Sequence, residues 1–161
     1  MGSRSLSSIL HGFAEKMVYP RPACSRFRLD GASLTGVGAV NVFDVTREFQ
    51  GGFGASRPST RFLTVHHADA NYPQVFGIDD VRAIARYHVQ SRGWAGIGYH
   101  EVLAEQTTGG PIACYIVSSP LSVRAHVWGR NHEAWGITMA ADMTKGIPPQ
   151  KWVDALALRL V

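Results

Sequence analysis

The spacing of apolar and polar positions changes period several times along the chain, and each change marks an element. Residues 61–67 (RFLTVHH) form a short apolar run with a β-branched centre, which predicts a buried strand ending in two histidines. A loop carrying Asn71 and Pro73 follows. Ile78, Asp79 and Asp80 open a helix, since aspartates suit the positive N-terminal end. Val81, Ile84, Ala85 and His88 recur at helical spacing as its buried face, and Gly93 ends it. Further strands are predicted over 97–103, 112–118 and 135–141, with a turn at Gly109, Gly110 and Pro111. Pro148 suits the first turn of a last helix, with Trp152, Val153, Leu156 and Leu160 on its inner side. The order strand, helix, three strands, helix predicts a single α/β domain: a central mixed β-sheet flanked by helices.

Residues 1–45 differ. The first five are Ser/Arg-rich and no continuous apolar stretch follows them, so no secretory signal is recognised and the site of action stays open. Residues 6–18 fit a short amphipathic helix, and Pro20, Pro22, Gly31, Gly36 and Gly38 interrupt what comes next. The division expected is an irregular N-terminal extension over 1–45 and one domain over 46–161.

Composition narrows the function classes. At 161 residues the chain suits one domain with a real core, and no apolar run is long enough to span a membrane. The net charge of +4 suits anionic polymers, cell wall or nucleic acid, without choosing between them. No Lys/Arg block of the kind that forms a nucleic-acid arm is present. Cys24 and Cys114 lie far apart, which argues against a disulfide framework; Cys114, in an apolar run, reads as a buried thiol.

The residues with chemical potential cluster in three segments. His66 and His67, adjacent on a strand, must point to opposite faces, so one can meet a site while the other packs elsewhere. A neutral imidazole at a strand end is a good zinc ligand, although paired histidines are also often a core and a surface residue. Residues 92–100 (RGWAGIGYH) place Tyr99 where its phenol either serves a site or packs in the core. Trp94 in the same run suits the floor of a groove, or a plug at a helix–strand junction among glycines. In residues 123–137 (VRAHVWGRNHEAWGI), His126 is either a groove histidine or a surface one.

These segments, in this order, resemble the zinc-dependent N-acetylmuramoyl-L-alanine amidases of the phage-lysin and peptidoglycan-recognition type. The likeness spans residues 60–161. It rests on the strand with His66, on Arg92, Gly93, Trp94, Ile97, Gly98, Tyr99 and His100, and on His126, Asn131, Gly136 and Ile137. Arg124 stands where the family has glycine, and Ala134 and Trp135 replace its usual Ser-Ile pair. The resemblance implies His66 as a zinc ligand, Tyr99 as the catalytic phenol, and Trp94, His126 and Asn131 in the substrate groove. It implies zinc as cofactor and peptidoglycan as partner, with no nucleic acid, no membrane segment and a monomeric state. The implied reaction is hydrolysis of the amide between muramic acid and L-alanine by zinc-activated water. The family's remaining ligands, a histidine and then a cysteine or aspartate, are expected beyond the last helix. Only one is therefore matched, and the domain is expected to be truncated at its C-terminus. His126 is the better stand-in for a second ligand, His100 the poorer. A non-catalytic peptidoglycan-binding protein of the same fold is the alternative, and an unrelated basic protein that binds nucleic acid is a third.

Overall fold

Strand β6 (Ala134–Asp142) is almost continuously buried, and the rest of the molecule is arranged on either side of it. In the computed structural model, which describes residues 17–20, 40–51, 56, 59–69 and 75–160, six strands form one mixed sheet. The others are β1 (Met17–Pro20), β2 (Asn41–Asp44), β3 (Phe62–Ala68), β4 (Glu101–Glu105) and β5 (Ile112–Ile116). Their order across the sheet is β1-β3-β6-β4-β5-β2. β6 runs parallel to both its neighbours, β3 and β4, and β2 runs parallel to β5. The β1–β3 and β4–β5 pairs are antiparallel. A strand with parallel partners on both sides is apolar on both faces because helices cover both.

Those helices are α1 (Ile78–Arg86), extended by a π-helical turn over Tyr87–Ser91, and α2 (Gln150–Leu160). On one face Val81 and Ile84 of α1 pack with Tyr99, Val102, Ala104, Ala113 and Tyr115. On the other, Trp152 and Ala155 of α2 pack with Leu103, Cys114, Ile137 and Met139. The single α/β domain with a mixed sheet between helices is the architecture expected from the sequence.

Several expectations change. Two strands, β1 and β2, come from within residues 1–45. Both lie at the sheet's edges, where a proline such as Pro20 costs no ladder bond on its open side. Met17 and Val18, placed by the sequence reading at the end of an amphipathic helix, are in β1; the rest of that helix, Cys24, and the loop with Asn71 and Pro73 lie outside the described residues. β4 begins at Glu101, not at Ile97. Residues 97–100 are irregular because Gly98 is wedged between the Trp94 ring and the Ala125 carbonyl: an added Cβ would sit 2.6 and 2.8 Å from them. On α2 the inner face is Trp152, Ala155 and Leu156, while Val153 and Leu160 are exposed.

Candidate functional site

The site starts at the end of β3. Alternation along this strand buries Thr64, His66 and Ala68 on the α1 face and turns His67 the other way, where its Nδ1 meets the Ala68 carbonyl at 2.8 Å. His66 looks into a cavity of about 350 Å³ that Tyr99, Trp94, His126 and Asn131 also line. The structure thus brings all five residues singled out from the sequence to one cleft. Tyr87, His88, Arg92 and Trp128 border it as well.

Three imidazoles in and beneath the cleft, those of His88, His100 and His126, are held by backbone. His126 Nε2 lies 3.1 Å from the Ala134 carbonyl, so it carries the proton and leaves Nδ1 as an acceptor. Nδ1 faces His66 Nε2 at 3.4 Å. Gly136 lies directly against the His126 ring, where a Cβ would come within 2.6 Å of the imidazole. The turn after His126 is fastened by Asn131, whose Oδ1 accepts from the amides of His126 and Val127 at 2.9 and 2.7 Å. His100 is fully buried; its Nδ1 accepts from the Gly136 amide and its Nε2 donates to the Ser122 carbonyl. Both of its nitrogens are thereby committed, in keeping with its being the poorer stand-in ligand.

Tyr99 packs 5.2 Å from the His66 ring, and burial pushes its phenol up to about 12, against a hydrogen bond with Thr138 that pulls the other way. It is a neutral donor at any ordinary pH. Trp94 borders the cavity, and its edge lies against Gly98. Arg124, the departure from the family's glycine, is buried and braces the loops behind the site. Its guanidinium donates to the Gly51 carbonyl at 2.8 Å and to the Ile97 carbonyl at 3.4 Å. Burial lowers the pKa of that guanidinium from its usual value.

His88 is a site residue that sequence reasoning did not single out as one. Helical spacing marked it as buried, which it is, but gave no sign that its ring borders a cavity. The wider π-helical turn that carries it leaves no mark in residue spacing. Such turns occur often at functional sites.

Two nitrogens on one tetrahedral zinc, each 2.0–2.1 Å from it, lie about 3.3–3.4 Å apart. The His66–His126 spacing of 3.4 Å fits two such corners, and the His126 proton on the Ala134 carbonyl is the outer contact such a ligand uses. Among the described residues no group of three His, Cys, Asp or Glu comes together to hold a metal. The cleft therefore fits two corners of a zinc site, with no third ligand to join them among the described residues.

With this geometry in view, the likeness to solved structures is informative. The chain matches Drosophila peptidoglycan recognition protein SD with a TM-score of 0.57 at 18% identity, covering 75% of this chain and 72% of that one. It matches peptidoglycan recognition protein LE, solved in complex with tracheal cytotoxin, a monomeric diaminopimelic acid-type peptidoglycan, with a TM-score of 0.50 at 21% identity (76% and 69% covered). The Ph2119 endolysin of a Thermus scotoductus bacteriophage matches with a TM-score of 0.50 at 18% identity (74% and 75% covered). No protein-family model and no curated protein matches the sequence. At these identities the likeness is one of fold: the chain has the fold of the peptidoglycan recognition proteins and of a phage endolysin, as its motifs led one to expect.

Proposed function

We propose that the cleft binds peptidoglycan where the stem peptide joins muramic acid. The observation that carries this reading is the meeting of His66, Trp94, Tyr99, His126 and Asn131 in one cavity of about 350 Å³, in a fold shared with proteins named for recognising peptidoglycan. The chemistry suits the ligand. Aromatic faces take the apolar side of a sugar or a peptide, and neutral imidazole and phenol groups pair with amides. Calorimetry of the full 161-residue chain with a soluble muramyl tetrapeptide tests the reading. Saturable one-to-one binding is expected. Absence of heat and of any change in tryptophan fluorescence at millimolar ligand would refute it.

A second reading, hydrolysis of the amide between muramic acid and L-alanine, is favoured by the His66–His126 spacing. His66 Nε2 and His126 Nδ1 would hold zinc at two corners. A bound zinc supplies a water ionised near neutral pH. Tyr99, as a fixed neutral donor, would hydrogen-bond the carbonyl oxygen as charge gathers on it. Metal content of the purified protein, measured beside release of stem peptide from cell walls, separates the readings. Stoichiometric zinc with release supports hydrolysis. Binding without zinc or release leaves recognition as the function.

A further inference from the structure

Arg124 immediately precedes Ala125 and His126, which line the cleft, while its own side chain is 5% exposed and reaches behind them. Its guanidinium ties three segments together. Nη1 donates to the Gly51 carbonyl at 2.8 Å and to the Ile97 carbonyl at 3.4 Å, and Nε donates to the Ser122 hydroxyl at 3.3 Å. A planar guanidinium presents its donors in a fixed fork, so acceptors on separate segments must hold one relative position to be met together. The backbones it joins are themselves in contact. A Cβ on Gly96 would collide with the Gly51 carbonyl, and a Cβ on Gly51 would lie 2.8 Å from the Ala95 carbonyl.

Short paths lead from this junction to the cleft. The Ala125 carbonyl, next along the chain, lies against Gly98, where a Cβ would meet it at 2.8 Å. Trp94 and Tyr99, which border the cavity, stand on either side of Ile97 in the run that the guanidinium grips. Residues 45–51 are anchored on the other side to α1. Val45 and Phe49 pack against the cluster of Val81 and Ile84, and Glu48 accepts from Arg82 Nε at 2.6 Å and Nη2 at 3.3 Å.

We infer that Arg124 is a positioning residue for the cleft: by holding the Gly51 and Ile97 carbonyls together it sets the walls that carry Trp94, Tyr99 and His126, and it makes residues 45–51 part of the binding unit. The inference rests on the reading of the cleft as a peptidoglycan site. Arg124 stands where the resembled family has glycine, and glycine supplies none of these bonds. The brace works through geometry. A lysine would bring the same charge as a single point, without the fork that spans two segments.

The test separates geometry from charge and from fold. Binding of a soluble muramyl tetrapeptide is measured for wild type, Arg124→Gly and Arg124→Lys, with far-ultraviolet dichroism and thermal melts as controls. Arg124→Gly is expected to stay folded and to bind about tenfold more weakly, the scale of coupling through a packed network. Arg124→Lys is expected to weaken binding nearly as much, although it keeps the charge. Millimolar methylguanidinium is expected to restore most of the affinity of Arg124→Gly by occupying the vacated space; methylammonium at the same concentration is expected to restore none. Gly51→Ala reads the junction from its other side, with Arg124 intact, and is expected to weaken binding about fivefold. That variant decides the matter if Arg124→Gly does not fold. Unchanged affinity in a folded Arg124→Gly, in Arg124→Lys or in Gly51→Ala would overturn the inference, as would a rescue that does not distinguish the two cations. A wild-type protein that does not bind the probe would instead overturn the underlying reading of the cleft, and this inference with it.

Discussion

Tyr99 and His88 show how burial decides what a titratable side chain can do. A phenol held at about 12 is a proton donor and never a base at neutral pH, so on the proposed reading of the cleft its part would be to polarise an oxygen. Tyr99→Phe is therefore expected to keep fold and metal content, and to lower stem-peptide release if the protein is hydrolytic. An unchanged rate in that variant would take Tyr99 out of the mechanism. His88 has a consequence for stability. Its folded value of about 4 lies below the ordinary 6.5, so between those pH values the unfolded chain takes up a proton that the folded chain refuses. Stability from this residue is whole above pH 6.5 and is lost as pH falls toward 4, by roughly 3 kcal/mol in all. Melting temperatures recorded from pH 7.5 to 4 are expected to fall less steeply in His88→Gln than in wild type; parallel curves would contradict this. At this scale much of the site was legible: the spacing of Tyr99, Trp94, His126 and Asn131 matched a known pattern. His88 was not, because periodicity reports burial and is silent on whether the buried ring meets protein or a cavity.

Helix α2 shows what an element's apolar pattern can and cannot tell. Val153 and Leu160 are seven residues apart and share a stripe, so hydrophobicity alone admits them to the core. The structure turns the neighbouring stripe inward, with Trp152 and Ala155 buried and Arg159 beyond them. The reason is polar. Glu101, buried at the start of β4, receives Arg159 through two bonds, Nε to Oε2 at 2.7 Å and Nη2 to Oε1 at 2.5 Å, and also accepts from the Cys114 thiol at 3.3 Å. Burial, with the Glu101 carboxylate beside it, pushes that thiol up to about 12, so Cys114 stays protonated and donates. A one-residue rotation of the helix would strand a buried carboxylate. Arg159→Ala is expected to cost about 3 kcal/mol in urea unfolding, since it leaves Glu101 buried without its cation. Replacing both residues, Glu101→Leu with Arg159→Met, is expected to recover most of the loss. A single variant as stable as wild type would show that packing alone sets the helix's rotation.

Across the whole molecule, the elements were legible and their neighbours were not. Residue spacing marked β3, α1, β5, β6 and α2 within a few positions, because each carries its own period. It could not place β6 between β3 and β4, since pairing joins residues as distant as His66 and Thr138. The edge strands escaped notice for a related reason: proline and glycine punctuate their segments, and only the sheet supplies a partner. The π-helical turn between α1 and Gly93 bears on the molecule as a matter of phase. Its backbone closes from the Arg92 amide to the Tyr87 carbonyl, so it holds one residue more than a regular turn. Everything after it is rotated by about 100° relative to an uninterrupted helix. Deleting Gln90, which is exposed, would reset that angle for Arg92 and Trp94 together. The expected result is a folded sheet with a cleft that no longer binds muramyl peptide, seen as retained far-ultraviolet dichroism with lost tryptophan response; full binding would mean the loop absorbs the turn. The cleft's shape, on this view, is counted out in residues along the helix as much as it is packed.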